Sequence, residues 1–277
     1  MSNATPPSHR QTSDPPSPAS NGPVKPTLLA FHGSGSNSMI HTVQLARLMR
    51  LLNPYFEVES IEAPFPSPAG PGILPFFDGC GPFKRWLPTA THVTPDSMRR
   101  GDSTSLLAPP VEALIKATIE RVRAQPQGRV VGLIGFSQGT KIVAGLLRAA
   151  ELRARFAMQD QEDEWCDFRF ALSVCGSYPP GLFPQSIARK LPRGTTWLDD
   201  GKIQTPTFHV QGKQDEWMWA GQALIDKHYE VGDGHSQVVE WDMGHHYPVL
   251  PEQSEIIATW MIGMLKRSEG EGEQQPR

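Results

Sequence analysis

The chain has 277 residues, and its 26 basic and 29 acidic side chains are spread along it and give a net charge of −3. This length suits one large α/β domain. The absence of a basic stripe, a polybasic cluster or an apolar run of bilayer length argues against a nucleic-acid-binding or membrane protein. Three cysteines without CxxC spacing argue against a disulfide framework and a structural zinc site. We find no apolar secretory leader and therefore expect a cytoplasmic protein.

Both ends of the chain have almost no large apolar side chains. Residues 1–25 are rich in Pro, Ser, Thr and Asn, and residues 268–277 have a similar polar composition. Such segments cannot bury enough apolar surface to become ordered. We therefore predict two disordered tails around a single domain at 26–267.

Between the tails, strand-like runs alternate with helical periodicity. Strands are predicted for six runs: 27–31, 56–62, 129–136, 168–174, 205–210 and 237–241. Helices are predicted at 41–52, 110–124, after residue 139, at 218–229 and at 252–266. This alternation predicts a mostly parallel sheet of about six strands with helices on both faces. The carboxyl ends of the strands should share one edge, where the chemistry is expected.

The stretch 63–109 does not follow this alternation. It is dense in Pro and Gly, yet it carries several aromatic side chains, among them Phe76, Phe83 and Trp86. A connection of this length inside a compact domain is usually functional or disordered. The aromatic residues favour partial order, and we predict an insertion that arches over the active site.

Gly135-Phe-Ser137-Gln-Gly139 lies between a predicted strand and a predicted helix. A serine at the apex of a tight strand–turn–helix is the nucleophile elbow of an α/β-hydrolase. The flanking glycines are expected because strand and helix pass too close for side chains there. The five-residue pattern alone is weakly specific, but its context makes Ser137 the candidate nucleophile.

A serine nucleophile needs a base, and the base needs an orienting acid. In α/β-hydrolases the acid and then a histidine follow the serine, each after a later strand. Asp215 follows the strand at 205–210 and His245 follows the strand at 237–241, so they are the candidate acid and base.

Other side chains compete for these two roles. His246 is the alternative base, although Gly244 favours a turn that swings His245 over the sheet. His209 lies inside a predicted strand and is expected to be a packed core histidine. The alternative acids have weaker strand context or a longer side chain: Glu216, Asp226, Asp233 and Asp242.

Acyl transfer also requires donors for the charge that develops on the carbonyl oxygen. The backbone N–H of Gln138, at the start of the helix, is one candidate. The glycine-rich loop after the first strand supplies the second, with the N–H of Ser34 preferred and Gly35 as the alternative.

The same loop also supports a rival hypothesis. Its run from Gly33 to Ser38 resembles the dinucleotide fingerprint G-x-G-x-x-G/A, and Glu59 or Glu62 is available near the second strand. The third small position is a serine, and this reading leaves Ser137 and its partners unexplained. A nicotinamide-dependent oxidoreductase is therefore the weaker alternative.

Four segments resemble the fungal serine hydrolase family: 28–33, 135–139, 209–215 and 244–248. Gly81-Pro-Phe-Lys-Arg-Trp86 is also similar to a segment that precedes the elbow in that family. The resemblance runs from about residue 25 to 266. It implies the α/β-hydrolase fold, a triad of Ser137, Asp215 and His245, and esterase activity or release of polyketides from a synthase as a thioesterase.

The chain departs from the family pattern in two places. Met243 replaces the first glycine of a common Gly-Gly-His, and the residues after Asp215 include Trp217 and Trp219. These two tryptophans either line an acyl pocket or pack the helix that follows. We name four candidate pocket residues: Phe83, Trp86, Trp217 and Trp219.

The sequence thus predicts a serine hydrolase that cleaves an ester or thioester through an acyl-enzyme, and the family resemblance implies a place in secondary polyketide metabolism. No metal or organic cofactor is implied. The expected partner is a small acyl substrate, with a synthase carrier domain as a further candidate and with neither nucleic acid nor membrane. An α/β-hydrolase fold used only for binding is the alternative from another functional class.

Overall fold

The computed structural model describes residues 24–91, 93–158, 165–198 and 201–273, without the side chains of 271–273. Residues 1–23 of the predicted N-terminal tail and residues 274–277 of the C-terminal one lie outside this part of the chain. Among the helices described, none combines the length and the apolar composition needed to cross a bilayer.

Six parallel strands form the central sheet, and all six were predicted to within two residues. In chain order they are β1 (Thr27–Phe31), β2 (Glu57–Ile61), β5 (Val130–Phe136), β6 (Phe170–Val174), β7 (Thr207–Gly212) and β8 (Gln237–Trp241). Their order across the sheet is β2-β1-β5-β6-β7-β8, and every pair is parallel. The chain reverses direction across the sheet between β1 and β5, and the crevice at such a switch point is where α/β proteins bind ligands.

Five longer helices cover the sheet: α1 (Ser38–Leu52), α3 (Pro109–Arg123), α4 (Gly139–Arg155), α6 (Met218–His228) and α7 (Pro251–Glu273). Two short helices, α2 (Pro95–Arg100) and α5 (Gln185–Ala188), were not predicted. The structure continues α7 through Glu273, so residues 268–273 are helical although they were assigned to the C-terminal tail.

The two faces of the sheet bury separate apolar cores. Side chains of α3, α4 and α6, including Ile115, Ile142 and Leu224, pack on one face. Side chains of α1 and α7, including Leu45 and Met261, pack on the other. This two-sided cover of a parallel sheet confirms the predicted α/β-hydrolase fold.

The insertion at 63–109 is tied to the loop that follows β1. It contains a small antiparallel hairpin, β3 (Phe65–Pro66) with β4 (Lys84–Arg85). Gly35 N–H donates to the Lys84 carbonyl at 2.8 Å, and Lys84 N–H donates to the Ser36 carbonyl at 2.6 Å. The insertion is therefore fixed beside the carboxyl end of β1.

Candidate active site

Ser137 stands on a strained turn between β5 and α4. Its φ is +49°, in the left-handed region that non-glycine residues rarely adopt. A Cβ on Gly139 would lie 2.1 Å from the Phe31 carbonyl oxygen, and one on Gly135 would lie 2.9 Å from the Thr140 Cα. The close passage of strand and helix therefore explains both glycines.

Asp215 and His245 come from the loops after the neighbouring strands β7 and β8. His245 Nδ1 lies 2.7 Å from Asp215 Oδ2, and the other carboxylate oxygen accepts the Trp217 N–H at 2.8 Å. The Asp215 side chain has no exposed surface, whereas that of His245 is 16% exposed. An acid thus holds one ring nitrogen of a histidine whose ring still reaches the cavity.

The surroundings of Asp215 keep it ionised. Burial opposes ionisation, but the hydrogen bond and charge of His245, the Trp217 N–H and the Cys175 thiol outweigh burial and lower the pKa of Asp215. An ionised carboxylate orients the imidazole and stabilises the imidazolium that forms when the ring accepts a proton.

The two competing histidines lie in different surroundings. His246 is exposed; its Nδ1 lies 2.8 Å from the Tyr247 carbonyl oxygen and its Nε2 accepts the Gly244 N–H. His209 is buried and packs edge-on against Tyr229, as predicted for a core histidine, and burial lowers the pKa of His209 to about 3. Neither lies against a described carboxylate in the way that His245 does.

One cavity brings the predicted catalytic groups together. It has a volume of about 260 Å³ and opens at the carboxyl edge of the sheet. Ser34, Ser137, Gln138 and His245 all line it. The nucleophile candidate, the base candidate and both oxyanion candidates therefore face one space.

The two candidate oxyanion donors are held by a network around Trp86. The backbone N–H of Trp86 donates to Gln138 Oε1 at 2.7 Å, and its indole N–H donates to the His32 carbonyl at 2.7 Å. Within the described part of the chain, the Ser34 and Gln138 amides donate no hydrogen bond. Both N–H groups thus remain available to a ligand oxygen.

Of the four predicted pocket residues, the structure places only Trp217 in the wall of this cavity. Trp86 is 1% exposed and packs on Phe31 and His32 in the core beneath the site. Phe83 and Trp219 are also absent from the described lining, and Trp219 lies between Trp217 and Arg99. The prediction that Trp86 lines the pocket is wrong, because its ring packs on the loop after β1 and donates a hydrogen bond to it.

Several lining residues were not predicted from the sequence. Pro71, Arg85, Val93 and Met98 come from the insertion, and Tyr178 comes from the loop after β6. The insertion was expected near the site, but no spacing pattern in it indicates which side chains face the cavity.

Cys175 completes a group of three possible metal ligands with Asp215 and His245, whose donor atoms lie within 4.8 Å of one another. A cysteine ligates a metal as the thiolate. Burial and the charge of Asp215 raise the pKa of the Cys175 thiol. Since the thiol is kept protonated and the carboxylate is paired with His245, this arrangement fits a hydrolase triad better than a metal centre.

The dinucleotide alternative is disfavoured by what lies at the start of α1. Glu62 Oε2 accepts the Ser38 N–H at 2.6 Å, and Asn37 Oδ1 accepts the Ile40 N–H at 2.8 Å. A pyrophosphate bound at a helix N-terminus uses such N–H groups. Here side chains of the protein already occupy them, and one of these side chains is negatively charged.

Comparison with known proteins identifies several to which this chain is similar. "Probable esterase tazC" of Aspergillus terreus is 32% identical over 84% of this chain and 91% of its own length. An Aspergillus terreus protein named dihydromonacolin L-[lovastatin nonaketide synthase] thioesterase is 31% identical over 81% of this chain and 86% of its own length. A crystal structure of Zea mays acyl-protein thioesterase 2 aligns with a TM-score of 0.49 at 15% identity, over 88% of this chain and 96% of the maize chain.

The family model described as "Serine hydrolase (FSH1)" matches residues 22–257. This match spans the whole sheet and every candidate catalytic residue. The chain belongs to this serine hydrolase family.

Proposed function

We propose that Ser137, His245 and Asp215 are the nucleophile, general base and orienting acid of this serine esterase or thioesterase. The supporting observation is the hydrogen bond between the buried Asp215 carboxylate and His245, at a cavity whose wall also contains Ser137 on its strained turn. In the acylation step, Ser137 Oγ forms a bond to the substrate carbonyl carbon while His245 takes the hydroxyl proton. The imidazolium then gives that proton to the leaving alcohol or thiol.

Deacylation repeats the chemistry with water. His245 takes a proton from water as the oxygen attacks the acyl-enzyme, and Ser137 leaves with the proton returned to Oγ. The amides of Ser34 and Gln138 would stabilise the oxyanion in both steps, and the loss of one such donor typically costs about 10² to 10³ in rate.

For the substrate, we propose an acyl ester or thioester of secondary polyketide metabolism. One relative's name specifies a thioesterase that acts with a polyketide synthase, and others are named esterases. The mixed wall of the cavity, with Trp217, Met98 and Val93, suits an acyl group with apolar parts. Delivery by a synthase carrier domain is part of this proposal.

We also propose a reducing, cytosolic compartment. Cys80 and Cys175 form no disulfide with a described residue. Thiols in this state are typical of reducing compartments. Fractionation of the native host, with the chain detected by an antibody, would test this assignment.

A fluorophosphonate probe tests the catalytic proposal directly. The probe should label the wild-type chain and fail to label Ser137→Ala, with Ser177→Ala, which changes another serine of the same cavity, as the control that keeps labelling. If Ser137→Ala keeps normal labelling, Ser137 is not the nucleophile. If the wild-type chain neither reacts with the probe nor hydrolyses any acyl ester or thioester, the alternative of a binding protein is favoured.

A further inference from the structure

Arg85 places a positive charge in the wall of the catalytic cavity, and the reaction steps above do not use it. Among the described residues, no carboxylate lies within salt-bridge distance of its guanidinium. Two acids of the insertion, Asp96 and Asp102, pair with Arg99 and Arg100 instead. A half-buried cation without a counter-charge is costly, so this part of the cavity is complementary to an anion.

The guanidinium is fixed in place but not saturated. Its Nη2 donates to the carbonyls of Pro88 at 2.6 Å and Thr91 at 3.3 Å. Its Nε is buried without an acceptor in the described part of the chain, and Nη1 donates to no described residue. Nη1 is therefore the donor left for a ligand, and a charge-assisted hydrogen bond from it to a carboxylate oxygen would compensate the charge.

The hydroxyl of Tyr178 is a second unpartnered donor at the same cavity. It is buried, and no described residue forms a hydrogen bond with it, although an interaction with the Ser103 side chain acts to lower the pKa of Tyr178. Burial raises the pKa of Tyr178, while Ser103 and the charge of Arg85 act in the opposite direction. The phenol therefore stays protonated, and Tyr178 and Arg85 both line the same cavity.

The loop that carries Tyr178 is anchored to the helix of the nucleophile. The fully buried Lys141 Nζ donates to the Tyr178 carbonyl at 2.9 Å and to the Pro180 carbonyl at 2.6 Å. Thr140 Oγ1 accepts the Ser177 N–H at 2.9 Å. The phenol is thus held in a constant position relative to Ser137, as a specificity-determining group must be.

We propose that this cavity accepts an acyl group bearing a carboxylate, which Arg85 and Tyr178 bind while the scissile carbonyl lies at Ser137. The substrate class is then a half-ester or half-thioester of a dicarboxylic acid. This inference rests on the proposed function, because it specifies the acyl group for the same site. Apolar lining from Val93, Met98 and Trp217 would pack the carbon chain between the two ends.

Two ester series with the same leaving group test the proposal on the full chain. One consists of 4-nitrophenyl half-esters of dicarboxylic acids of increasing length, and the other of alkanoate esters in which a methyl group replaces the carboxylate. The rate with Ser137→Ala is subtracted, because half-esters also hydrolyse by internal attack. We expect wild-type kcat/KM to favour the carboxylate at one or more chain lengths, by about 10-fold or more.

Arg85→Gln should lower this preference by about 10- to 100-fold and change hydrolysis of the alkanoate little. Arg85→Lys should restore part of the preference, because it returns the charge without the fork. Tyr178→Phe should reduce the preference by a smaller factor. Arg99→Gln is the matched control, since this exposed arginine already pairs with Asp96, and it should leave the preference unchanged.

Several outcomes would overturn the proposal. A wild-type enzyme that prefers the alkanoate at every chain length would do so. An Arg85→Gln variant whose kcat/KM falls by the same factor on both ester series would also do so, because that result indicates that Arg85 only supports the Pro88 and Thr91 carbonyls. If Arg85→Gln does not fold, the wild-type ratio and Tyr178→Phe decide. If no ester is cleaved, the proposed function fails instead. Calorimetric titration of glutarate into wild type and Tyr178→Phe then tests the carboxylate site by itself: binding that is weaker in the variant supports it, and no binding to wild type overturns it.

Discussion

His245 Nδ1 lies 2.7 Å from Oδ2 of Asp215, on a carboxylate with no exposed surface. These residues are 30 positions apart in the chain, and adjacent parallel strands β7 and β8 bring them together. Because the carboxylate can only accept, it requires a proton on Nδ1 and leaves Nε2 free to accept one, as the proposed role of His245 as base requires.

Asp215→Asn should therefore lower kcat by about 10⁴, because the amide permits the wrong tautomer of His245. Steady-state hydrolysis of an aryl ester measures the effect, and circular dichroism checks that the variant is folded. Glu216→Gln, which changes the exposed neighbouring acid, should leave kcat near the wild-type value. If the two variants lose equal activity, Asp215 is not the orienting acid.

The lowered pKa of Asp215 also predicts a pH dependence of stability. Its pKa in the folded state lies below the ordinary value of about 3.9, so the folded chain binds fewer protons than the unfolded chain between those two pH values. The stabilisation is present above the ordinary pKa and is lost as pH falls through the folded-state value.

The difference in free energy of unfolding between wild type and Asp215→Asn should accordingly be largest near neutral pH and shrink below about pH 4. Urea unfolding of both proteins across this range measures it. His245 and Cys175 contact the carboxylate, so the same series in Cys175→Ala separates their contributions. A difference that grows on acidification would contradict the assigned direction of the pKa shift.

The two adjacent histidines should differ sharply in function. His245→Ala and Ser137→Ala are each expected to lose about 10⁵ to 10⁶ in kcat, because the members of a triad act as a unit. His246→Ala should keep activity within about one order of magnitude of wild type, since among the described residues its ring forms hydrogen bonds with backbone groups of the turn alone. Loss of activity in His246→Ala with retention in His245→Ala would move the base to position 246.

The sheet and the triad candidates could be predicted because each leaves a local signature. Parallel strands buried on both faces appear as apolar runs, and the elbow requires glycine at Gly135 and Gly139 for steric reasons that are visible in the sequence. The acid and the base follow strands, and chain order places those strand ends at one edge of the sheet.

The pocket residues could not be predicted in the same way. An aromatic residue such as Trp86 is suited equally to core packing and to a substrate pocket, and only tertiary contact shows that its indole donates to the His32 carbonyl. Arg85 lies one residue before it in an irregular segment without periodicity. Which of two neighbouring side chains faces the cavity depends on the pairing of β4 with β3, which the sequence does not indicate.

Gly139→Ala should destabilise the protein by about 1–3 kcal/mol, because its Cβ would lie 2.1 Å from a backbone oxygen of β1. Displacing the start of α4 should also lower kcat. Gly263→Ala is the matched control inside α7: apart from the backbone of the helix itself, no atom of a described residue lies within 4 Å of the added methyl, so it should stabilise the protein by about 0.5–1 kcal/mol. If both variants have the same melting temperature, the close contact between the start of α4 and β1 does not require glycine at position 139.

Trp86→Phe tests whether the buried indole positions the loop after β1, which carries Ser34, the proposed second oxyanion donor. Phenylalanine keeps most of the packing against Phe31 but leaves the buried His32 carbonyl without its donor, which should cost about 1–3 kcal/mol of stability. Because Ser34 is two residues further along the same loop, a small displacement of its amide should lower kcat by up to about 10²-fold with less effect on KM. Trp219→Phe, outside this network, should leave kcat near that of wild type. If Trp86→Phe is destabilised but keeps full kcat, this loop matters for stability and not for oxyanion binding. The second oxyanion donor would then be a group other than the Ser34 N–H.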